Sequence, residues 1–341
     1  MNELVSIIIP IYNMGEQLKK SIKSILNQDY SNYEVLLIDD GSEDNSFQIC
    51  KEIAENNPRV KCYHTENQGS GPARNVGIQN ASGKYAYFPD ADDWLAPNAI
   101  SSCVSAMENF HCDLLVFGFK ILNQKGKQIK EKVYSNKRYM ASVLKNNYVN
   151  CMDMTAKNGI QGAPWNKFFR LSVIREFGIE YPSLRRHQDE GFISRYMCHA
   201  NSICFISDIY YSYYANTQQL EWKKYPIDYI DAVIGLYNVR KDTILTWNSN
   251  DIETHNLVHR SYICSVIKAL ELSFSPKFNF KTIKSHLSWM KDVLEKSNIL
   301  EVPKVKLGIY QKILFNLIAN RMLNLVYIVI GFKVKLYDVF R

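Results

Sequence analysis

Three aspartates that follow one short apolar run are the side chains of this sequence best suited to chemistry. The run Tyr85–Phe88 predicts a buried strand, and the segment Pro89-Asp90-Ala91-Asp92-Asp93-Trp94 follows it. A spacing of two along an extended segment places Asp90 and Asp92 on the same side. Carboxylate oxygens are hard ligands that suit Mg²⁺ or Mn²⁺, and such an ion can neutralise the charge that develops on a departing diphosphate. The alternative is an acidic turn that caps the helix predicted to begin near Pro97.

A second pair of carboxylates, Asp39 and Asp40, ends another run that predicts a buried strand, residues 34–39. An aspartate at such a strand end can accept a hydrogen bond from a base imide or from a ribose hydroxyl. We predict that function for Asp39. The residues that follow, Asp44 and Ser46, favour helix capping instead.

A glycine-rich segment, residues 67–77, is the third candidate for ligand binding. Gly69 and Gly71 allow the backbone to approach a ligand closely. Arg74 lies in the first turn of the predicted helix that follows, where it can reach a phosphate or the face of a base. The segment lacks the Gly-Lys-Ser/Thr of a Walker loop, so it does not predict an ATPase-type phosphate cradle.

Alternating strand and helix patterns must position these residues. The predicted strands are 5–10, 34–39, 60–64, 85–88 and 114–119, and the predicted helices are 18–26, 46–56, 73–80 and one from Pro97. This alternation predicts an α/β fold with a mostly parallel sheet. Because ligands bind outside the carboxyl ends of such strands, the loops after Pro10, Asp39, His64 and Phe88 are expected to converge on one crevice.

The composition bounds the class of protein. The chain has 341 residues, 46% of them hydrophobic, and its formal net charge of +7 does not by itself indicate nucleic-acid binding. Its eight cysteines form no Cys-x-x-Cys pair, so free thiols in a reducing compartment are expected, with no zinc knuckle or thioredoxin-type site. The N-terminus shows no signal-peptide pattern, so we expect a cytoplasmic protein.

The second half of the chain differs from the first. From about residue 226 the apolar pattern is helical only, which predicts a helical annex. Residues 121–138 are polar and lysine-rich, and they predict an exposed hairpin or loop in the first half.

Four segments together resemble the family 2 glycosyltransferases, which have the GT-A fold, of the type that builds bacterial capsule and cell-surface polysaccharides. They occur in the same order over about the first 120 residues: VSIIIPIYN at 5–13, VLLIDDGSEDNS at 35–46, NQGSGPARNVGI at 67–78 and SGKYAYFPDADDW at 82–94. The resemblance implies a GT-A (Rossmann-like) catalytic domain over residues 1–220, with the helical annex over residues 221–341.

The resemblance also implies roles on the donor side. The base, usually uracil, would lie against residues of the first two segments. Asp92 would be the main ligand of Mn²⁺ or Mg²⁺, and Asp90 a second ligand. The donor-binding residues that the resemblance implies are Pro10, Tyr12, Asp39, Arg74, Asp90, Ala91 and Asp92.

Beyond residue 150 the resemblance extends to the acceptor side. Trp165 and Lys167 match a Trp-x-Lys segment that precedes the acceptor site of the family. Asp189 matches the catalytic base, and Glu190 is held in reserve, because Gln188 stands where the family usually has Glu. Tyr210 to Gln218 resembles a family segment that often has an arginine near a phosphate. That arginine is missing here, and the candidates to replace it are Arg185 and Arg186.

The predicted reaction is an inverting transfer of a sugar from a nucleotide diphosphate donor, usually a UDP-sugar, to a hydroxyl of a glycan or lipid-linked saccharide acceptor. Two alternatives belong to other classes. A nucleotidyltransferase would place a basic glycine-rich loop after the first strand, where Ile11–Gly15 offers no cation. A non-catalytic sugar-nucleotide-binding module would tolerate loss of the carboxylates Asp90, Asp92 and Asp189, all of which are present.

The basic C-terminal segment allows two interpretations. Residues 313–332 are long enough to span a membrane, but Asn316, Asn320 and Asn324 form a polar stripe that the bilayer centre disfavours. No acidic residue occurs from Lys304 to Tyr337. One interpretation is therefore an amphipathic helix on the inner face of an anionic membrane, beginning near Lys304. The other is a helix packed on the main domain or on the second subunit of a homodimer.

Overall fold

The computed structural model describes residues 2–123, 125–145, 159–160, 162–184, 186–215, 229–247, 251–275 and 278–339. The chain divides into two compact units, residues 1–221 and 222–341. This division, like the predicted boundary after residue 220, lies outside the described residues.

The first unit contains the strands and helices that position the candidate site. Its strands are β1 Val5–Ile11, β2 Tyr33–Asp40, β3 Val60–Thr65, β4 Tyr85–Tyr87, β5 Trp94–Leu95, β6 Leu114–Leu122, β7 Gln128–Lys132, β8 Lys137–Met140, β9 Lys167–Arg170 and β10 Ser202–Tyr214. Its helices are α1 Gln17–Leu26, α2 Ser46–Glu55, α3 Ser70–Asn80, α4 Ala99–Phe110, α5 Ala141–Lys145, α6 Leu171–Glu176 and α7 Gln188–His199.

The apolar runs form strands as predicted. Every residue of β1 and β2 is buried, which explains their continuous Val, Ile and Leu pattern. Several boundaries differ from the prediction: α3 begins at Ser70, β6 extends to Leu122, and α4 begins at Ala99 with Asn98 as its N-cap. Pro97 lies outside the helix, and its carbonyl oxygen accepts a hydrogen bond from the backbone N–H of Asp29 at 3.0 Å.

The strands of the described residues form one sheet in the order β3-β2-β1-β4-β9-β6-β10-β5, with β7 on β6 and β8 on β10. The prediction of a mostly parallel sheet holds for β1 to β4, which pair in parallel. The long pairing of β6 with β10 is also parallel, whereas β9 pairs antiparallel to both β4 and β6, and β5, β7 and β8 are antiparallel to their neighbours. The strand β6 nevertheless runs in the direction of β4, since two antiparallel steps restore it.

Aromatic packing fixes α7 against the end of β4. The ring of Phe88 lies 5.5 Å from that of Phe192 in α7 and 5.4 Å from that of Phe169 in β9. The ring of Tyr181 stacks on Phe192 at 4.0 Å. These rings are buried, and such contacts stabilise beyond the burial of area alone. The start of α7 is thereby held beside the acidic segment that follows Phe88.

The second unit is helical in its described residues, as predicted. Its helices are α8 Tyr229–Thr246, α9 Ile252–Leu272, α10 Ile283–Ser297, α11 Ile309–Ala319 and α12 Leu323–Val339. The prediction of one helix over residues 313–332 is wrong, because the chain breaks at Asn320–Met322, where Arg321 has φ +58°. No helix among the described residues has both the length and the apolar character needed to cross a membrane.

Candidate active site

The loops at the carboxyl ends of the parallel strands meet, as the alternation predicted. The backbone N–H of Asn13, after β1, donates to Oγ of Ser42, after β2, at 3.1 Å. At the end of β3, Nδ1 of His64 lies 2.7 Å from Oδ2 of Asp39. Pro10 is buried within β1, and Tyr12, immediately after the strand, is exposed.

Asp39 is placed as a ligand-binding acid would be. Its side chain is fully buried, and Oδ2 accepts from the backbone N–H of Ser42 at 3.3 Å in addition to its contact with His64. The other oxygen, Oδ1, is buried and has no hydrogen-bond partner among the described residues. A buried acceptor in that state costs free energy, about 1–3 kcal/mol, so a ligand N–H or O–H at this point would remove the cost.

Asp40 has a different environment. Its Oδ1 accepts from the backbone N–H of Gln68 at 2.9 Å, and its Oδ2 accepts from that of Gly69 at 2.8 Å. Asp40 therefore holds the loop that leads into α3. Gly69, the N-cap of that helix, has φ +99°, a conformation that glycine adopts without strain.

Arg74 links the two acidic regions of the site. Its side chain is buried, with Nη2 donating to Oδ1 of Asp90 at 2.7 Å and Nη1 donating to Oδ1 of Asp189 at 3.1 Å. Burial opposes its charge, but Asp189, Tyr181 and Asp90 outweigh that effect and raise the pKa of Arg74 above its ordinary value. The guanidinium is therefore a fixed cation, and one of its partners, Asp189, lies 115 positions from Arg74 in the sequence.

The acidic segment after β4 forms a compact oxygen cluster. One ligand atom from each of Asp90, Asp92 and Asp93 lies within 4.8 Å of the others. Burial and the neighbouring charge of Asp90 raise the pKa of Asp92 to about 6. A divalent cation would relieve the repulsion between these carboxylates, and oxygen donors suit Mg²⁺ or Mn²⁺. The cluster therefore fits the predicted metal.

Hydrogen bonds from β10 hold the side chain of Asp93 in place. The hydroxyl of Tyr211 donates to its Oδ2 at 2.6 Å, and the backbone N–H of Tyr214 donates to its Oδ1 at 2.8 Å. The same hydroxyl accepts from the backbone N–H of Asp90 at 3.1 Å, so Tyr211 holds the segment at two points. Burial and the charges of Asp90 and Asp92 raise the pKa of Asp93 to about 9.

The predicted base, Asp189, lies in the first turn of α7, and a third of its side chain is exposed. Burial raises the pKa of Asp189, Arg74 partly offsets this effect, and Asp90 adds to it. Gln188 contacts the start of α3, because its Oε1 accepts from the backbone N–H of Gly71 at 3.0 Å and its amide donates to Oγ of Ser70. The amide of Gln188 thus holds the start of α7 against the start of α3, at the position where the family usually has Glu.

The other predicted residues are mostly buried. Trp165 is in the core, where its ring stacks on that of Tyr211 at 4.5 Å. Nζ of Lys167 is also buried, and it donates to the carbonyl oxygen of Ala163 at 2.8 Å and to Oδ1 of Asn166 at 2.6 Å. Ala91 and Glu190 are buried beside their acidic neighbours. This burial favours supporting roles for Trp165 and Lys167.

Sequence reasoning missed several residues of the site. Tyr211 and His64 contact its acids, yet each follows an ordinary strand pattern, and only the pairing of distant strands reveals the contact. Of the two arginines suggested near the phosphate, Arg185 lies outside the described residues. The same holds for residues 216–218 of the segment that resembles the family's arginine-bearing stretch.

The fold and the acidic strand ends are those of a GT-A protein, and solved structures share this fold. S. aureus TarS 1–349 in complex with UDP-GlcNAc aligns with a TM-score of 0.63 at 18% identity, over 96% of this chain and 90% of that chain. Mannosyltransferase PcManGT from Pyrobaculum calidifontis, in complex with GDP-Man and Mn²⁺, aligns with a TM-score of 0.53 at 14% identity, over 99% and 88%. At these identities the likeness establishes the fold.

The chain belongs to the family described as Glycosyl transferase family 2, whose profile matches residues 6–177, half of the chain. Among curated relatives, Glycosyltransferase GlyA of Streptococcus pneumoniae is 25% identical over 274 residues, 77% of this chain and 38% of that protein. Putative glycosyltransferase EpsH of Bacillus subtilis is 25% identical over 269 residues, 76% of each chain. The chain thus spans well under half of GlyA. The predicted fold class and family are confirmed.

Proposed function

We propose that this protein is an inverting glycosyltransferase that moves a sugar from a nucleotide diphosphate, most simply UDP, to an acceptor hydroxyl in cell-surface polysaccharide synthesis. The observation that carries the proposal is the bridge from Asp90 through Arg74 to Asp189. It sets a carboxylate on α7 opposite the acidic segment at the carboxyl edge of the sheet. The names of the relatives and the UDP-GlcNAc bound by TarS support the donor class.

The donor base is proposed to lie at the ends of β1 and β2. Oδ1 of Asp39 offers an acceptor for the imide N–H of uracil or for a ribose hydroxyl. Tyr12 is exposed beside it and Pro10 forms buried backbone, so the two can flank a flat ring. The loop held by Asp40 then directs the start of α3 toward the phosphates.

Asp92 and Asp90 are proposed to hold the divalent cation, because both oxygens of Asp93 are already hydrogen-bonded. When bound, a metal of this class offsets the charge that accumulates on the leaving diphosphate. Arg74 holds Asp90 in place and supplies a fixed positive charge beside it. Ala91 has a small buried side chain, which leaves room for the donor.

Asp189 is proposed to act as the general base. As the acceptor oxygen forms its bond to the anomeric carbon, the bond from that carbon to the diphosphate oxygen breaks, and the acceptor proton passes to the carboxylate of Asp189. The raised pKa of Asp189 makes it a stronger base than an ordinary aspartate. Gln188 positions Asp189 by tying the start of α7 to α3, and buried Lys167 and Trp165 support the same region.

The test is a panel of nucleotide sugars with Mn²⁺ or Mg²⁺, scored for transfer to saccharide acceptors, with Asp189→Asn compared with Glu190→Gln. We expect Asp189→Asn to bind donor normally and to lose transfer by about 10²–10⁴-fold, while Glu190→Gln transfers at a rate near that of the wild type. The opposite pattern would move the base to Glu190. Nucleotide-sugar binding without turnover by the wild-type protein on any donor would favour a non-catalytic module.

We also propose that the second unit binds an anionic membrane surface. Apolar side chains of α11, of α12 and of the break between them are exposed, and we call them the C-terminal apolar surface: Ile309, Ile313, Met322, Leu325, Ile328, Phe332 and Leu336. The exposed cations Lys304, Lys306, Lys312, Arg321 and Lys335 occur in the same stretch, which has no acidic residue. Apolar insertion combined with basic attraction is the requirement for in-plane binding to anionic lipid.

Surface substitutions test membrane binding better than truncation of the second unit does. Removal of residues beyond 303 would strip Leu314, Ile318, Val326 and Ile330 from the core of the unit. We therefore compare Ile328→Ser/Phe332→Ser, at 60% and 67% exposure, with Ile252→Ser/Ile283→Ser, at 74% and 61%.

Only the first pair is expected to reduce sedimentation with anionic vesicles, by about tenfold. Equal behaviour of the two pairs would contradict the proposal. A homodimer in analytical ultracentrifugation that the first pair dissociates would also contradict it, because a second copy would then occupy the surface.

A further inference from the structure

The strands β6 and β7 form a lysine-rich hairpin, and the proposed donor and base sites do not use its lysines. It comprises β6, a turn described at Asn123 and at residues 125–127, and β7. Between residues 121 and 138 the sequence contains one acidic residue, Glu131, against six cations. These cations are Lys125, Lys127, Lys130, Lys132, Lys137 and Arg138. A solvated face would explain the charge alone, so the position of the hairpin decides its significance.

Hydrogen bonds hold the described residues of this turn in a defined geometry. Oδ1 of Asn123 accepts from the backbone N–H groups of Lys125 and Lys127, both at 3.0 Å. The backbone N–H of Asn123 donates to the carbonyl oxygen of Lys127 at 2.9 Å, and that of Gly126 donates to the carbonyl oxygen of Asn123 at 2.9 Å. Gly126 has φ +75°, which suits glycine in such a turn. The two exposed lysines therefore project from a fixed backbone.

The turn lies beside the acidic segment. A Cβ placed on Gly126 would be 3.8 Å from the hydroxyl oxygen of Tyr214. The backbone N–H of Tyr214 donates to Oδ1 of Asp93, and its ring lies 4.6 Å from that of Trp94. Because β6 runs in the direction of β4, its carboxyl end is at the same edge of the sheet as the site. The lysines of the turn thus border the crevice.

Trp94 adds an apolar contact to this border. Its side chain is 40% exposed, although it directly follows the acidic segment. An exposed indole beside a tyrosine offers a flat apolar surface of the kind that binds the C–H face of a sugar ring. The lysines are flexible point charges without the planar fork of arginine. Several such charges suit a ligand with negative charges spread along a chain better than a single buried phosphate.

We propose that Trp94, Tyr214 and the lysine turn form an acceptor-side surface for an acidic saccharide, one that carries phosphate or carboxylate groups along its chain. This inference names the acceptor class of the proposed transferase and therefore rests on the proposed function. The aromatic pair contacts the sugar ring next to the reacting hydroxyl, and Lys125 and Lys127 attract the charges of the neighbouring residues.

Direct binding tests the inference without requiring transfer. The protein, with UDP and Mn²⁺, is titrated with a fluorescent oligogalacturonide (carboxylate chain), inorganic polyphosphate (phosphate chain) and a neutral maltooligosaccharide. The variant Lys125→Gln/Lys127→Gln is compared with Lys137→Gln/Arg138→Gln. The control pair removes the same charge from exposed positions on β8, which pairs with the start of β10 at the opposite edge of the sheet.

We expect Lys125→Gln/Lys127→Gln to weaken both acidic chains by about 3- to 10-fold and to reduce the salt dependence of binding. The control pair is expected to stay within about twofold of wild type. Trp94→Ala is expected to weaken the oligogalacturonide and to leave polyphosphate unchanged, because only the former has sugar rings. Equal losses in the two lysine pairs, or none in either, would overturn the inference.

The two proposals can fail separately. If UDP release from nucleotide sugars depends on Asp189 but the turn lysines do not affect acidic chains, the acceptor assignment alone fails. If no nucleotide sugar is turned over, the transferase proposal fails, whatever the binding comparison gives.

Discussion

The ends of β2 and β4 carry the same residue pair, Asp39–Asp40 and Asp92–Asp93, in different environments. In each pair the second aspartate has both oxygens hydrogen-bonded by protein groups, and the first does not within the part of the chain that the structure describes. After β2 the donors are backbone N–H groups of a nearby loop. After β4 they come from β10, and burial together with neighbouring negative charge raises the pKa of Asp92 and of Asp93. The comparison indicates that one acid of each pair fixes the geometry while the other is left for a ligand.

The largest expected effect is a loss of activity that distinguishes Asp92 from Asp93. Asp92→Asn removes a proposed metal ligand, and we expect kcat/KM for the donor that the panel identifies to fall at least ~100-fold, about 2.7 kcal/mol. Asp93→Asn keeps an acceptor for the backbone N–H of Tyr214 and resembles the protonated acid, so we expect a loss within about fivefold. Steady-state kinetics of both variants measure these two losses of kcat/KM. A larger loss for Asp93→Asn would reverse the assignment.

The next largest effects distinguish Asp39 from Asp40, through UDP affinity for the first and protein stability for the second. Asp39→Asn alters the buried acceptor proposed for the base, and we expect UDP to bind about tenfold more weakly with little change in melting temperature. Asp40→Asn loses one of two backbone contacts and is expected to lower the free energy of unfolding by about 1–3 kcal/mol. Calorimetric titration and thermal melting measure the two quantities. Weaker UDP binding by Asp40→Asn than by Asp39→Asn would contradict the comparison.

The smallest expected effect is on the pH dependence of metal binding. The pKa of Asp92 is raised to about 6, so its metal-binding form is lost as the pH falls through that value. We expect Mn²⁺ affinity to be nearly constant from about pH 7 to 8 and to fall by up to about tenfold from pH 6 to 5. Electron paramagnetic resonance of free Mn²⁺ measures it. An affinity that still rises steeply above pH 7 would indicate Asp93, with its higher pKa, as the titrating ligand.

The donor side could be predicted from the sequence because its signals are local. Asp39 lies at the end of β2, Asp90 and Asp92 lie shortly after β4, and Arg74 lies near the start of α3. The apolar runs of the strands are recognisable, and parallel strands bring their carboxyl ends to one edge. The pairing of Arg74 with Asp189 could not be predicted in this way. It depends on β9, a short strand that enters the sheet antiparallel between β4 and β6.

Two other features could not be predicted from the sequence, for physical reasons. Asp92 and Asp93 are the same residue type in adjacent positions, and only the hydrogen bonds from Tyr211 and Tyr214 distinguish their roles. In the C-terminal segment, the apolar content of residues 313–332 concealed the break at Arg321, because no glycine or proline marks it. The positive φ of Arg321 ends one helix and starts a turn that the apolar pattern alone does not indicate.

The most direct test of the central claim is the anomeric configuration of the first product, read by proton NMR from an α-linked nucleotide sugar. A single displacement assisted by Asp189 opposite the donor held at Asp90 and Asp92 predicts a β-linked product. An α-linked first product would show retention and would contradict the account.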